Sequence, residues 1–281
     1  MRSLHNVLAP AKLNLFLHIT GQREDGYHLL QSVFMLIDWC DTLHFDVRDD
    51  GVIEREDLTL TLPADDLVVR AARALQQASG TPLGVHIALE KHIPAQAGMG
   101  GGSSDAASTL LALNRLWGLN WPLAKLLPLG LALGADVPFF MGGHNAWVEG
   151  IGEKITPIHL PESRFVVVKP TSGLETARIF GHPQLQRDTE TATMPSFAVN
   201  PYGFGRNDLQ PVAQALCPEV AQAVHWLGSF GLHPRMTGSG SAVFAQLPDG
   251  VLIDSAPHNW QMRICSNMAV HPQAGWAARE S

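Results

Sequence analysis

The residues best suited to chemistry lie in one short segment, PAQAGMGGGSSDAA, at residues 94–107. Its glycines let the backbone approach a ligand closely and adopt positive φ at little cost. A predicted strand precedes the segment and a predicted helix follows it. The free N–H groups and partial positive charge of a helix N-terminus suit a phosphate. The segment therefore predicts a polyphosphate-binding loop, whose candidate residues are Pro94, Ala95, Gln96, Ala97, Gly98, Met99, Gly100, Gly101, Gly102, Ser103 and Ser104.

This loop differs from the two common phosphate-binding signatures. The pattern GxxxxGK[ST] is absent and no lysine follows the glycines, while GxGxxG would need a further glycine at Ser103. The alternative interpretation is a flexible linker or a tight turn. A linker would not normally lead straight into a helix with an apolar face, so we favour the phosphate-binding interpretation.

Two charged residues are candidates for the reacting groups. Lys12 lies in PAKLNLF at the start of a predicted strand, and Asp136 lies in GADVPFF beside bulky apolar residues. Taken alone, Lys12 is explained as a solvated charge and Asp136 as an aspartate at a helix end or in a turn. Neither residue by itself indicates catalysis.

Composition excludes several classes of protein. The chain has 281 residues, enough for one large domain or two modest ones, and a net charge of −7, which argues against wrapping nucleic acid. Its three cysteines are far apart and its thirteen histidines scattered, so neither a disulfide framework nor a protein-ligated metal site is predicted. The N-terminus lacks a signal-peptide pattern, and the most apolar stretch is interrupted by charged residues, glycine and proline. We therefore expect a cytoplasmic protein without a membrane span.

Periodicity and turn residues predict an α+β fold. The predicted strands cover residues 12–20, 33–37, 42–47, 85–90, 164–169 and 242–246. The predicted helices cover residues 67–78, 105–117, 123–133 and 212–226, the first with Asp65 and Asp66 as N-terminal caps. Residues 187–200 are predicted to form a loop.

Three segments together resemble the GHMP kinase superfamily. They are PAKLNLFLHITG at residues 10–21, the glycine-rich loop, and MTGSGSAVF at residues 236–244. They occur in the order and at the spacing of that superfamily, over nearly the whole chain. The resemblance implies a kinase that uses ATP and Mg²⁺ to phosphorylate a small-molecule alcohol, with Lys12 and Asp136 as catalytic residues. It also implies two lobes, residues 1–155 and 156–281, with the active site between them.

The match is closest to the branch that acts on a cytidine-diphosphate-linked polyol in the non-mevalonate route to isoprenoid precursors. The resemblance implies that Tyr27 and His28, in GYH, bind the cytosine ring and that Phe180 lies on its other side. It further implies that Asn14 and Thr176 contact the substrate. A homoserine- or mevalonate-type kinase, a pseudoenzyme and a cytidine- or RNA-binding module are the alternatives. The Mg²⁺ ligands and the oligomeric state stay open.

Overall fold

The structure, a computed structural model, describes residues 2–257 and 259–278. These residues form ten strands and eight helices, which are β1 (Ser3–Gln22), β2 (His28–Arg48), β3 (Ile53–Asp57), α1 (Leu67–Ser79), β4 (Gly84–Glu90), α2 (Gly101–Leu116), α3 (Leu123–Leu133), α4 (Val137–Gly142), β5 (Ala146–Gly150), β6 (Lys154–Pro157), β7 (Arg164–Lys169), α5 (Thr176–Phe180), α6 (Met194–Val199), α7 (Gln210–Leu216), α8 (Pro218–Gly228), β8 (Arg235–Met236), β9 (Val243–Gln246) and β10 (Gln261–Ser266).

The first sheet contains strands β1 to β6. Its order is β3-β4-β2-β5-β6, and β1 pairs with β2 along most of its length in an antiparallel register that sets Lys12 opposite Leu36. Strands β3 and β4 are parallel and are connected through α1. Buried apolar residues of α1 to α4, such as Leu110 and Phe139, pack in one core with residues of this sheet such as Phe45.

The second sheet has the antiparallel order β10-β7-β9-β8. Its strand β7 alternates between two cores, because successive side chains of a strand point to opposite faces. Val166 and Val168 pack with residues of α5, α7 and α8. Phe165 and Val167 pack instead against the first sheet, with Leu13 and Met35. The two sheets therefore share an apolar layer, and each has helices on its outer face.

After β10 the chain returns to the first sheet. The backbone N–H of Met268 donates to Leu36 O (2.9 Å). Ser108 Oγ donates to Gln273 Oε1 (2.8 Å), and Gln273 Nε2 donates to Leu8 O (2.6 Å). These buried contacts fix the last described residues against α2 and β1. The division of the chain at residues 155 and 156 stays a prediction.

The α+β class is confirmed, but several predicted boundaries were wrong. Predicted strands 33–37 and 42–47 are parts of the single strand β2, and the helix predicted from residue 105 begins at Gly101. The helix predicted over residues 212–226 is two helices, because Pro218 has no backbone N–H and disfavours the helical conformation at Cys217, whose backbone is extended. The loop predicted over 187–200 contains α6, which starts with a capping box of Thr193 and Ser196.

Within residues 2–257 and 259–278, no helix has both the length and the apolar character needed to cross a membrane.

Candidate active site

The centre of the site is an ion pair between a buried lysine and a partly exposed aspartate, both predicted to be catalytic. Lys12 Nζ lies 3.6 Å from Asp136 Oδ2. Lys12 is 4% exposed and comes from the middle of β1, whereas the side chain of Asp136 is 31% exposed and stands at the N-terminus of α4. The ammonium also donates to Asn14 Oδ1 (2.5 Å) and lies 4.7 Å from the centre of the Phe34 ring. The sequence places Lys12 and Asp136 124 residues apart, and the fold brings them into contact.

The electrostatics of Lys12 favour an anionic ligand. Burial lowers the pKa of the Lys12 ammonium, and the Asp136 carboxylate offsets only part of that effect. A buried cation whose one carboxylate partner is partly exposed gains stability from a further negative group. The pair is therefore suited to a site where a phosphate arrives next to a group that Asp136 can hydrogen-bond.

Asn14 links Lys12 to the second lobe. Its side-chain Nδ2 donates to Ser32 Oγ (2.9 Å), which leaves Oδ1 as the acceptor for Lys12. Its backbone N–H donates to Thr237 Oγ1 (2.9 Å), which belongs to the glycine-containing segment at residues 236–244. Lys12 and Asn14 lie two residues apart on a strand and share one face, as the strand period requires.

The glycine-rich loop has the backbone geometry that its composition predicts. Gly98 and Gly100 both have φ of 72°, and Gly100 is the residue before the first turn of α2. A Cβ at Gly98 would lie 2.8 Å from Gly240 N, and one at Gly100 would lie 3.0 Å from the Phe140 ring. Met99 O accepts the backbone N–H of Lys12 (2.9 Å). The loop is thus held between β1, α4 and residues 236–244.

A cavity of about 1020 Å³ connects these groups. Residues 94–103 all line it, together with Lys12, Asn14, Asp136, Thr176 and Phe180. Ser104 does not line the cavity: it is buried in α2, and its Oγ has no hydrogen-bond partner. The cavity thus combines the predicted phosphate loop, the ion pair and part of the predicted substrate site.

A second buried charge cluster lies beneath the loop, and the sequence analysis missed it. Lys91 Nζ donates to Asp105 Oδ2 (2.6 Å) and to Asp41 Oδ2, and Asp41 Oδ1 accepts the backbone N–H groups of His92 (2.6 Å) and Ile93 (2.8 Å). Lys91 and Asp105 stand at opposite ends of the glycine-rich loop, so the cluster closes the loop at its base. No local sequence signal joins Asp41 to the other two residues.

Burial acts on the charges of both Lys91 and Asp105 in this cluster. Burial opposes the charge on Lys91, but the two carboxyl groups outweigh burial and raise the pKa of the ammonium. Burial raises the pKa of Asp105 to about 8, although Lys91 acts against it. Asp105 Oδ1 has no hydrogen-bond partner, whereas both oxygens of Asp41 accept hydrogen bonds. The smaller number of hydrogen bonds to Asp105 agrees with the raised pKa of its carboxyl group.

The residues predicted to bind the cytosine base do not all face the cavity. The rings of His28 and Phe180 are in direct contact, with centroids 5.1 Å apart and planes tilted by 42°. A base between these two rings would require them to separate. The Tyr27 side chain is 61% exposed, and neither Tyr27 nor His28 lines the main cavity. Thr176 Oγ1 lies 2.7 Å from Ser239 Oγ and faces the cavity.

Comparison with known proteins agrees with this geometry. Residues 66–144 match the family model of the GHMP kinases N terminal domain, and residues 194–260 match that of the GHMP kinases C terminal. The chain belongs to the GHMP kinases, a family of phosphotransferases that use ATP.

Individual relatives have names that specify a substrate, which the family models do not. A curated 4-diphosphocytidyl-2-C-methyl-D-erythritol kinase from Albidiferax ferrireducens (strain ATCC BAA-621 / DSM 15236 / T118) is 69% identical over 280 residues, which cover 100% of this chain and 98% of the relative. A crystal structure of 4-(cytidine 5'-diphospho)-2C-methyl-D-erythritol kinase has a TM-score of 0.73 and 35% identity, covering 85% of this chain and 88% of that one. The mevalonate kinase of Methanococcus jannaschii shares the fold at 14% identity, with a TM-score of 0.67 and coverage of 95% and 98%. The predicted family and the predicted alcohol phosphotransferase activity are confirmed.

Proposed function

We propose that this kinase transfers the γ-phosphoryl group of ATP to the 2-hydroxyl of 4-diphosphocytidyl-2-C-methyl-D-erythritol, the substrate named for its full-length relatives. The observation that carries the proposal is the Lys12–Asp136 pair beside the glycine-rich loop in one cavity. This arrangement supplies a cation, a carboxylate and a phosphate-binding helix N-terminus within one site. Phosphoryl transfer requires mainly such positioning and charge stabilisation.

Each residue of the pair has a distinct part in the reaction. Asp136 accepts a hydrogen bond from the substrate hydroxyl and takes its proton as the new O–P bond forms. Lys12 stabilises the negative charge on the transferring phosphoryl group, and Asn14 holds the ammonium in place through its Oδ1. The N-terminus of α2, with Gly100 to Gly102, binds the remaining phosphates through backbone N–H groups.

Mg²⁺ is part of this proposal. Within the described residues, no group of three or more His, Cys, Asp or Glu side chains could hold a metal ion. Mg²⁺ in kinases keeps several waters and is bound largely by substrate phosphates, so few protein ligands are needed. Ser104 does not line the cavity and is fully buried, so its Oγ is not placed to be one of them. Mg²⁺ would neutralise charge on the phosphates.

The cytidine end of the substrate would lie toward the second lobe. Thr176 and Ser239 face the cavity and suit a diphosphate, since both hydroxyl groups can donate hydrogen bonds. The His28–Phe180 pair provides an aromatic wall at the end of α5, and the exposed Tyr27 ring is available to stack on the opposite face of the base. The substrate partner is therefore a small molecule with a flat base and a diphosphate.

The test is a coupled assay of ADP release with ATP and Mg²⁺. It compares 4-diphosphocytidyl-2-C-methyl-D-erythritol with homoserine, mevalonate and galactose. Turnover confined to the cytidyl compound is expected, and turnover only on another alcohol would overturn the substrate assignment.

A matched pair of variants tests the role of Asp136. Asp136→Asn keeps the shape of the side chain but cannot accept the proton, so kcat should fall by at least about 100-fold. Asp49→Asn, in an exposed pair with Arg2, should leave kcat unchanged. Asp49→Asn should unfold at the wild-type urea concentration, whereas Asp136→Asn leaves the buried Lys12 ammonium without its carboxylate and should unfold at a lower one while staying folded in the assay. A well-folded Asp136→Asn enzyme with near-normal kcat would remove this residue from the mechanism.

A further inference from the structure

Arg187 contacts both members of the His28–Phe180 pair. Its Nε donates to His28 Nε2 (3.0 Å), and its Nη2 donates to Phe180 O (3.1 Å) and His182 O (3.0 Å). Its Nη1 donates to Leu185 O (3.0 Å). One guanidinium thus joins the start of β2 to the end of α5 and to the segment that follows it. Every partner is an imidazole nitrogen or a carbonyl oxygen.

The hydrogen bond to His28 determines the state of its ring. A guanidinium is permanently protonated and has no acceptor, so His28 Nε2 must offer a lone pair. The single N–H of a neutral imidazole then resides on Nδ1. Burial, and after it the positive charge of Arg187, lower the pKa of His28, which agrees with a neutral ring. The charged residues of the adjacent turn, Arg23 and Asp25, pair with each other at 2.7 Å.

We propose that Arg187 is a positioning residue that holds the His28 imidazole neutral, with its hydrogen on Nδ1, for recognition of the substrate base. This inference rests on the proposed function. A neutral ring with one fixed donor matches the carbonyl or ring-nitrogen acceptors of a pyrimidine. The other hydrogen bonds of Arg187 hold the carbonyl of Phe180 and so set the position of the aromatic ring beside His28. Base selectivity then depends on a residue that itself need not touch the base.

The direct test needs no substrate and no variant of Arg187. Two-bond ¹⁵N–¹H correlation spectra of protein labelled on histidine report the tautomer of each ring, and a His28→Gln spectrum identifies the signals of His28. The expected result is a neutral ring with hydrogen on Nδ1 from pH 8 down to pH 6. A ring protonated at pH 6.5, or one with hydrogen on Nε2, would overturn the proposal.

Kinetics test the consequence for the substrate. Arg187→Ala should raise KM for the cytidyl substrate by at least about tenfold, with KM for ATP unchanged. Without Arg187 only burial still lowers the pKa of His28, so the imidazole should take up a proton at a higher pH than in the wild type, and the ratio of variant to wild-type KM should change between pH 6 and 7.5. A purely structural role would give the same ratio at every pH, and that result would contradict the proposal.

Two controls distinguish the loss of the Arg187–His28 contact from a general effect of removing an arginine. Arg178→Ala removes an exposed arginine from α5, the helix that ends at Phe180, and should leave both KM values unchanged. The double variant Arg187→Ala/His28→Ala should lose less than the sum of the two single losses, because part of the effect of Arg187 passes through the His28 ring. If the wild-type enzyme fails to turn over the cytidyl compound, the substrate assignment fails, while the spectra still decide the state of His28.

Discussion

Replacing Asp105 by asparagine should make the protein more stable, and increasingly so as the pH rises. The carboxyl group is 2% exposed and shares Lys91 with Asp41. Its pKa is raised from 3.8 to about 8 in the folded protein, chiefly by burial. Between these two values the folded state binds a proton that the unfolded state releases, so the free energy of unfolding falls as the pH rises. Asparagine has the same shape, keeps an oxygen for Lys91 and carries no charge.

The expected difference in the free energy of unfolding follows from proton linkage. Between the pKa values of Asp105 in the unfolded and folded states, each rise of one pH unit lowers the free energy of unfolding of the wild-type protein by about 1.4 kcal/mol relative to the variant. The free energy of unfolding of Asp105→Asn, minus that of the wild type, should therefore grow by about 2 kcal/mol between pH 6 and 7.5. Any constant loss from a weaker hydrogen bond with Lys91 adds the same offset at every pH and does not alter this slope.

The assay is urea unfolding of both proteins at several pH values, followed by fluorescence. Asp57→Asn is the matched control. Burial acts against the Asp57 carboxylate, but its hydrogen bonds with Arg55 and Leu62 lower the pKa below 3.8. Asp57 is thus ionised in both folded and unfolded states above pH 6, and its variant should differ from wild type by a constant amount. A difference for Asp105→Asn that is also constant from pH 6 to 7.5 would refute the buried, protonated carboxyl.

Two further predictions concern the loops around the cavity. Gly98→Ala should lower the free energy of unfolding by at least about 1–2 kcal/mol, because Gly98 has φ of 72° and a Cβ would lie 2.8 Å from Gly240 N. The control Gly102→Ala, whose Cβ would lie 3.4 Å from Leu67 Cδ1, should be neutral or stabilising. Equal losses of both variants in urea unfolding would contradict the packing argument. Gly173→Ala should raise KM for ATP several-fold, because its Cβ would lie 2.9 Å from Gln96 Cβ. Adding Gln96→Gly should return KM for ATP to the wild-type value. A double variant with the same raised KM as Gly173→Ala would show that the two residues do not interact.

Much of the first lobe follows from local sequence. The helix predicted from residue 67 begins there, with Asp66 as its N-cap accepting from Val69 N (3.1 Å) and Gly80 at its C-terminus in the left-handed conformation. The glycine-rich loop was recognisable because its composition, the strand before it and the helix after it agree. Lys12 and Asp136 could be proposed from the motifs in which they lie, although their contact depends on the packing of β1 against α4.

Other features depend on long-range packing and could not be predicted. The Asp41–Lys91–Asp105 cluster joins residues up to 64 positions apart, and each of its members looks like an ordinary surface charge in sequence. The partner of His28 is Arg187, which lies in a segment predicted to be only a loop. The Tyr27 ring projects to solvent in a turn whose conformation is set by local hydrogen bonds, such as that from Tyr27 N to Asp25 Oδ1 (3.3 Å).

Strand β1 connects the glycine-rich loop with residues 236–244. The N–H of Lys12 donates to Met99 O in the glycine-rich loop, and the N–H of Asn14 donates to Thr237 Oγ1 in the second lobe. Between these two anchors the Lys12 ammonium contacts Asp136 and Asn14. A shift of either loop must therefore move the strand that carries the ammonium or break one of these hydrogen bonds. Because the same strand is bonded to both loops, the position of Lys12 relative to them is set by backbone N–H groups of β1, and its flexible side chain needs to adjust little.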